Sequence, residues 1–175
     1  MIFRAILVPG FNGTARQPLL VRLKRALKDS GIEGKAITLK PGRPTPELLS
    51  EVAQLRRAAK GAQVLIGRSF GGRVCARLAV EQPPRALVLL GFPVRPPGKK
   101  RPLDEAALRA LSCPTLILQG ADDALGSPAV LRRVLRGNPS VTLEIIAGAG
   151  HGYGKQEAAV IARAAQWLSQ RLAHG

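Results

Sequence analysis

The chain has 175 residues, of which 46% are apolar, 22% charged and only 3% aromatic. That apolar share excludes a disordered chain, and no uncharged apolar run approaches the roughly 20 residues of a membrane span. The 27 basic residues against 11 acidic ones give a net charge of +16, which bears on partners and solubility rather than on fold.

Taken in order, apolar runs alternate with segments of helical spacing. The runs are Ala5-Ile6-Leu7-Val8, Ala36-Ile37-Thr38-Leu39, Val64-Leu65-Ile66, Ala86-Leu87-Val88-Leu89-Leu90, Thr115-Leu116-Ile117-Leu118 and Val141-Thr142-Leu143-Glu144-Ile145-Ile146. Most are continuous, as expected for strands covered on both faces of a parallel sheet. Between them, Pro18 opens a helix carrying Leu19, Leu20, Leu23 and Leu27, which stops near Ser30-Gly31. Thr45-Pro46-Glu47 predicts a second start, with a threonine cap, a proline at the first position and an acid in the first turn. Leu48, Leu49, Val52 and Leu55 then form one face, and Gly61 ends the helix. Further helices are predicted over residues 71–81 and 103–111, with Asp104 a candidate cap of the latter, then from Ser127-Pro128 to Arg136-Gly137 and over residues 155–172.

Strand followed by helix, six times, predicts a doubly wound α/β domain spanning residues 1–175. Its sheet is six-stranded and mostly parallel, with helices on both faces in three layers. In such sheets ligands bind at the carboxyl ends of the strands.

At that edge, Val64-Leu65-Ile66 runs into Gly67-Arg68-Ser69-Phe70-Gly71-Gly72 and then a helix. This is G-x-S-x-G in the strand-turn-helix setting of a nucleophile elbow. The turn lifts the Ser69 hydroxyl clear of the sheet, and glycines two positions away on either side avoid collision with strand and helix. The Phe70 amide, at the helix N-terminus, can donate to a developing oxyanion. The plainer alternative is a serine cap in a glycine-rich turn.

A serine needs a base, and the chain holds only His151 and His174. His174 stands next to the last residue, where fraying is expected. His151, in Ala149-Gly150-His151-Gly152-Tyr153-Gly154, is therefore the candidate base. The acid that orients it should follow the fifth strand, in Gln119-Gly120-Ala121-Asp122-Asp123. The usual spacing, three residues after the glycine, selects Asp123 and leaves Asp122 as a turn or cap residue. A second oxyanion donor should come from Pro9-Gly10-Phe11-Asn12-Gly13, with the Phe11 amide as candidate and Asn12 as a further pocket group. An ordinary turn of small residues is the alternative there. For Arg68, beside the serine, two readings stay open: it lines the pocket and attracts an anionic substrate, or it pairs with an acid.

These segments resemble the α/β-hydrolase superfamily, in its small lid-less dienelactone-hydrolase-like branch. They are also similar to the hydrolase-like domain of the NSL chromatin-complex subunit and its testis-expressed relative. The similarity runs through Gly67 to Val74, Leu90-Gly91-Phe92-Pro93, Pro96-Pro97-Gly98-Lys99, Pro114-Thr115-Leu116, Gly120 to Asp123, and Gly148 to His151. Pro9 departs from it, standing where many relatives have a histidine, and the opening antiparallel strands of the larger fold have no room. The resemblance implies hydrolysis of a small ester or thioester by Ser69, His151 and Asp123, without metal or other cofactor. It also leaves open a non-catalytic scaffold, since the family has members with no known substrate.

The basic residues bear on the remaining alternative. They are scattered over helical polar faces, with Lys99-Lys100-Arg101 the one contiguous run, and one Trp and one Tyr provide few stacking platforms. A nucleic-acid or other polyanion partner is thus disfavoured against a small-molecule acyl substrate. Cys75 and Cys113 read as free thiols of a cytoplasmic protein, because the N-terminus carries no export signal; Cys75 reads as a buried apolar filler and Cys113, before Pro114, as structural. Trp167 reads as packed against the sheet.

Overall fold

The computed structural model describes residues 2–40 and 42–173. Six strands form one sheet: β1 (Phe3–Val8), β2 (Ile32–Ala36), β3 (Val64–Arg68), β4 (Ala86–Leu90), β5 (Thr115–Gly120) and β6 (Val141–Ile146). Their order is β2-β1-β3-β4-β5-β6, and every adjacent pair is parallel. The helices are α1 (Pro18–Asp29), α2 (Leu49–Ala58), α3 (Phe70–Glu81), α4 (Pro102–Ala110), α5 (Pro128–Val134) and α6 (Glu157–Ala173), with a 3-10 turn at Gly154–Gln156. The predicted α/β three-layer architecture is present.

The continuous apolar runs divide by parity. Ala5, Leu7, Val64, Ile66, Val88, Leu116 and Leu118 face a core built with α1 and α6, which includes Trp167. Ile6, Val8, Leu65, Leu87, Leu89 and Ile117 face the opposite core, built with α2, α3, α4 and α5. Side chains of a strand alternate between faces, so a strand covered on both sides must be apolar throughout.

Two elements differ from expectation. The second strand lies at Ile32–Ala36, ahead of the predicted residues 36–39. It is an edge strand: Ile32 and Gly34 are buried while Glu33 and Lys35 are exposed, so its signal alternates instead of running continuously. Gly34 fits there because a Cβ would lie 3.2 Å from Leu7. Ile37 still donates to the Leu7 carbonyl at 3.0 Å as the chain leaves the sheet.

The second helix starts at Leu49, not at Thr45-Pro46. Residues 45–48 close a turn in which the Leu48 amide donates to the Thr45 carbonyl at 3.2 Å, and Arg77 holds the Pro46 carbonyl at 3.0 Å. Leu48 is fully buried in the left-handed region, φ 55°, and Leu49 is exposed rather than part of the buried face. Asp104 does not cap α4 either. It is a buried carboxylate bound by Arg73 at 2.5 Å and Arg77 at 2.9 Å, tying α3 to α4.

The strand order reverses between β1 and β3. The loop after β1 and the turn after β3 therefore flank one crevice, at the point where such sheets bind ligands.

Candidate active site

The turn after β3 has the strain its sequence implies. Ser69 takes φ 50° and ψ −115°, a conformation that costs a non-glycine residue on the order of 1–3 kcal/mol. A Cβ on Gly67 would stand 2.5 Å from the Gly71 carbonyl oxygen, and one on Gly71 would stand 2.5 Å from that of Pro9. Neither position has room for a side chain. The Ser69 amide donates to the Leu90 carbonyl at 2.9 Å, fixing the turn to the end of β4.

Two further loops converge on Ser69. His151 Nε2 lies 2.8 Å from Ser69 Oγ, and His151 Nδ1 lies 2.8 Å from Asp123 Oδ2. With Nδ1 protonated and its N–H donating a hydrogen bond to the carboxylate, Nε2 is free to accept from the hydroxyl. The Asp123 side chain is fully buried and that of His151 one-quarter exposed. Asp122 is exposed; its amide donates to the Ala149 carbonyl at 2.9 Å, which joins the acid loop to the histidine loop. His174 lies outside the described residues.

The carboxylate is held by more than the imidazole. Gln119, fully buried at the end of β5, donates from Nε2 to Asp123 Oδ2 at 2.9 Å and to the Gly126 carbonyl at 2.7 Å. Its Oε1 accepts from the Phe92 amide at 2.8 Å. The Leu125 amide donates to Asp123 Oδ1 at 2.9 Å. Sequence reasoning missed Gln119; its signal was a lone amide closing an apolar strand. Tyr153 was missed as well. It is buried, and its hydroxyl donates to the Leu118 carbonyl at 2.6 Å. Burial pushes its phenol pKa well above the ordinary value.

The loop after β1 lies against the elbow: a Cβ on Gly10 would come within 3.7 Å of Ser69 Cβ. Phe11 is exposed, and its ring meets that of Phe70 edge-on at 5.7 Å. Asn12 is exposed at φ 55°. Both border a cleft of about 220 Å³, together with Gly10, Leu39, Lys40 and Phe70.

Arg68 does not pair with an acid: it is buried, and no carboxylate among the described residues lies within ion-pair distance of it. Its guanidinium faces the carbonyls of Leu90 and His151 and the ring of Tyr153. Burial lowers its pKa, opposed by the charges of neighbours that include Asp123. Cys75 and Cys113 are free and buried, and burial raises the pKa of both thiols. Among the described residues, no cluster of His, Cys, Asp and Glu could hold a metal ion. Nor is any helix there long and apolar enough to cross a membrane.

The parallel sheet, the strained turn after β3 and the hydrogen-bonded hydroxyl, imidazole and carboxylate at its rim together define an α/β-hydrolase architecture. The chain belongs to that family: the profile of the alpha/beta hydrolase domain matches residues 36–172. No curated protein matches the sequence. Among solved structures, Est1E from Butyrivibrio proteoclasticus superposes with a TM-score of 0.82 at 16% identity, over 98% of this chain and 89% of that one. Paleococcus ferrophilus monoacylglycerol lipase gives 0.81 at 14% identity, over 96% and 94%. XC6422 from Xanthomonas campestris, described as a serine hydrolase without lid, gives 0.72 at 17% identity, over 98% and 84%. At these identities the likeness is one of fold.

Proposed function

We propose that the protein is a serine hydrolase that cleaves a small ester or thioester. The observation that carries this reading is the pair of 2.8 Å contacts linking Ser69, His151 and Asp123. Ser69 Oγ attacks the substrate carbonyl as His151 Nε2 takes its proton. Backbone amides of Phe70 and Phe11 hold the oxyanion. His151 returns the proton to the leaving group, and the acyl group stays on Ser69. Water, deprotonated by His151, then attacks the acyl enzyme; the bond to Ser69 Oγ breaks as His151 returns the proton to it, and the acid leaves. Asp123 holds the imidazole in the right tautomer throughout.

The cleft beside the Phe11 loop supports a small substrate. Its volume of about 220 Å³ is below the roughly 300–1,000 Å³ of sites that enclose drug-sized ligands, which supports a short acyl group. We read the chain as a single domain without a separate lid. Est1E, solved with ferulic acid bound, and the monoacylglycerol lipase support an ester substrate. If the substrate is anionic, the general positive charge and Lys40 at the cleft attract it, not the buried Arg68. Two free, buried thiols support a cytoplasmic setting. Kinship with the dienelactone-hydrolase-like branch and with the NSL subunit rests on the segments they share with this chain.

The test is turnover of p-nitrophenyl acetate and its short-chain thioester analogues. Ser69→Ala is expected to lower kcat by about 10⁶-fold and Asp123→Asn by about 10⁴-fold. Equal rates in wild type and Ser69→Ala would overturn the reading in favour of a scaffold on a hydrolase fold.

A further inference from the structure

The base of the proposed relay sits on a glycine-rich loop that is rooted at Ala149 and Tyr153, with His151 between them. Nothing lies within 4 Å of a Cβ placed on Gly152 or Gly154, and only the Asp122 carbonyl comes near one on Gly150, at 3.9 Å. Backbone hydrogen bonds contribute from Asp122 to Ala149 and from Tyr153 to Gly150. Among the described residues, one side chain donates to the main chain of residues 149–154, and it is Arg68.

The Arg68 contacts are specific in geometry. Nη2 donates to the His151 carbonyl at 2.5 Å and Nη1 to the Leu90 carbonyl at 3.2 Å. Nη1 also lies 3.4 Å from His151 Nε2. The guanidinium carbon stands 5.6 Å from the centre of the Tyr153 ring, whose hydroxyl is anchored on β5 at Leu118. Gly91, at φ 62°, leaves the space the fork occupies: a Cβ there would lie 2.5 Å from Nη1. Two elements thus meet on one planar cation: the end of β4 and the histidine loop, the latter through the His151 carbonyl and the Tyr153 ring.

We propose that Arg68 is a positioning residue for His151. Set over the Tyr153 ring, its guanidinium pins the histidine loop to the end of β4 and keeps Nε2 within reach of Ser69. The inference rests on the serine-hydrolase reading. A guanidinium suits the task because its rigid planar fork donates to two carbonyls on different elements while it sits over the ring; an ammonium is a compact point charge without that fixed fork. The nucleophile and the clamp on its base are adjacent in sequence, so the elbow that sets Ser69 also sets where His151 stands.

The experiment measures the rate at which a fluorophosphonate inactivates the full chain, separated into its maximal rate and its half-saturating concentration. Labelling of wild type at Ser69 is the control; if it fails, the serine-hydrolase reading fails, irrespective of Arg68. Given labelling, Arg68→Met is expected to lower the maximal rate by about 100-fold, with the half-saturating concentration unchanged, since a displaced base affects only the reacting state. Arg68→Lys keeps the charge without the fork and is expected to recover less than a tenth of the lost rate. Tyr153→Phe, which keeps the aromatic ring under the guanidinium, should lose less than Arg68→Met. Should Arg68→Met not fold, Arg68→Lys carries the same comparison. Wild-type rates in the variants, with or without a lowered Tm, would make Arg68 merely structural and overturn the proposal. Full recovery by lysine would do the same.

Discussion

Ser69 is held by what surrounds it more than by its own preference. Its backbone strain persists because β3, β4 and α3 leave the turn no other course, and the two flanking glycines are what let those elements close. Position 71 makes this quantitative. A methyl group there would meet the carbonyls of Val8 and Pro9, rigid backbone of the adjoining strand and loop. Gly71→Ala is therefore expected to destabilise the fold by about 3 kcal/mol in urea unfolding. Gly152→Ala, where the added methyl meets nothing within 4 Å, should change it by no more than about 0.5 kcal/mol. Equal losses at the two positions would contradict the close-approach argument. The same packing logic made Ser69, Asp123 and His151 legible in the sequence, because each needs a fixed residue type in a fixed setting. Gln119 and the true surroundings of Arg68 were not legible. A buried amide or guanidinium takes its meaning from carbonyls contributed by distant loops, and no local pattern encodes those.

At the scale of elements, strands buried on both faces announced themselves, while the edge strand and the second helix did not. Ile32-Glu33-Gly34-Lys35-Ala36 carries an alternating signal too short to outweigh the apolar run that follows it. Thr45-Pro46-Glu47 satisfies the local rules for a helix start, yet burial of Leu48 and the Arg77 bond to Pro46 hold that stretch as a turn. Tertiary contacts overrode propensity. Helix α4 shows how such contacts respond to pH. Burial alone would raise the Glu105 carboxyl pKa, but hydrogen bonds and charge from Arg95 and Arg109 outweigh it and hold the group below the ordinary glutamate value. A lowered folded pKa means stability that is present above the unfolded value and lost as pH falls through the folded one. The Tm advantage of wild type over Glu105→Gln should accordingly be full at about pH 7 and close towards about pH 3. A gap constant across that range would show that the ion pairs with Arg95 and Arg109 do not link α4 to stability.

For the molecule as a whole, the decisive feature is topological. Strand order reverses between β1 and β3, opening a crevice flanked by the Phe11 loop and the Ser69 elbow. The loops after β5 and β6 bring Asp123 and His151 to the same rim. That convergence was inferable from the alternation of strands and helices together with the chain order of serine, acid and histidine. The cleft beside the Phe11 loop was not, because part of its wall, Thr38 to Lys40, comes from the irregular segment after β2, where the expected strand is absent. The most direct measurement is mass-spectrometric mapping of the chain after reaction with a fluorophosphonate. The account predicts a single phosphonyl adduct on the peptide containing Ser69, abolished in Ser69→Ala and strongly slowed in His151→Ala. An unmodified Ser69 in folded wild-type protein, or an adduct that survives Ser69→Ala, would contradict it.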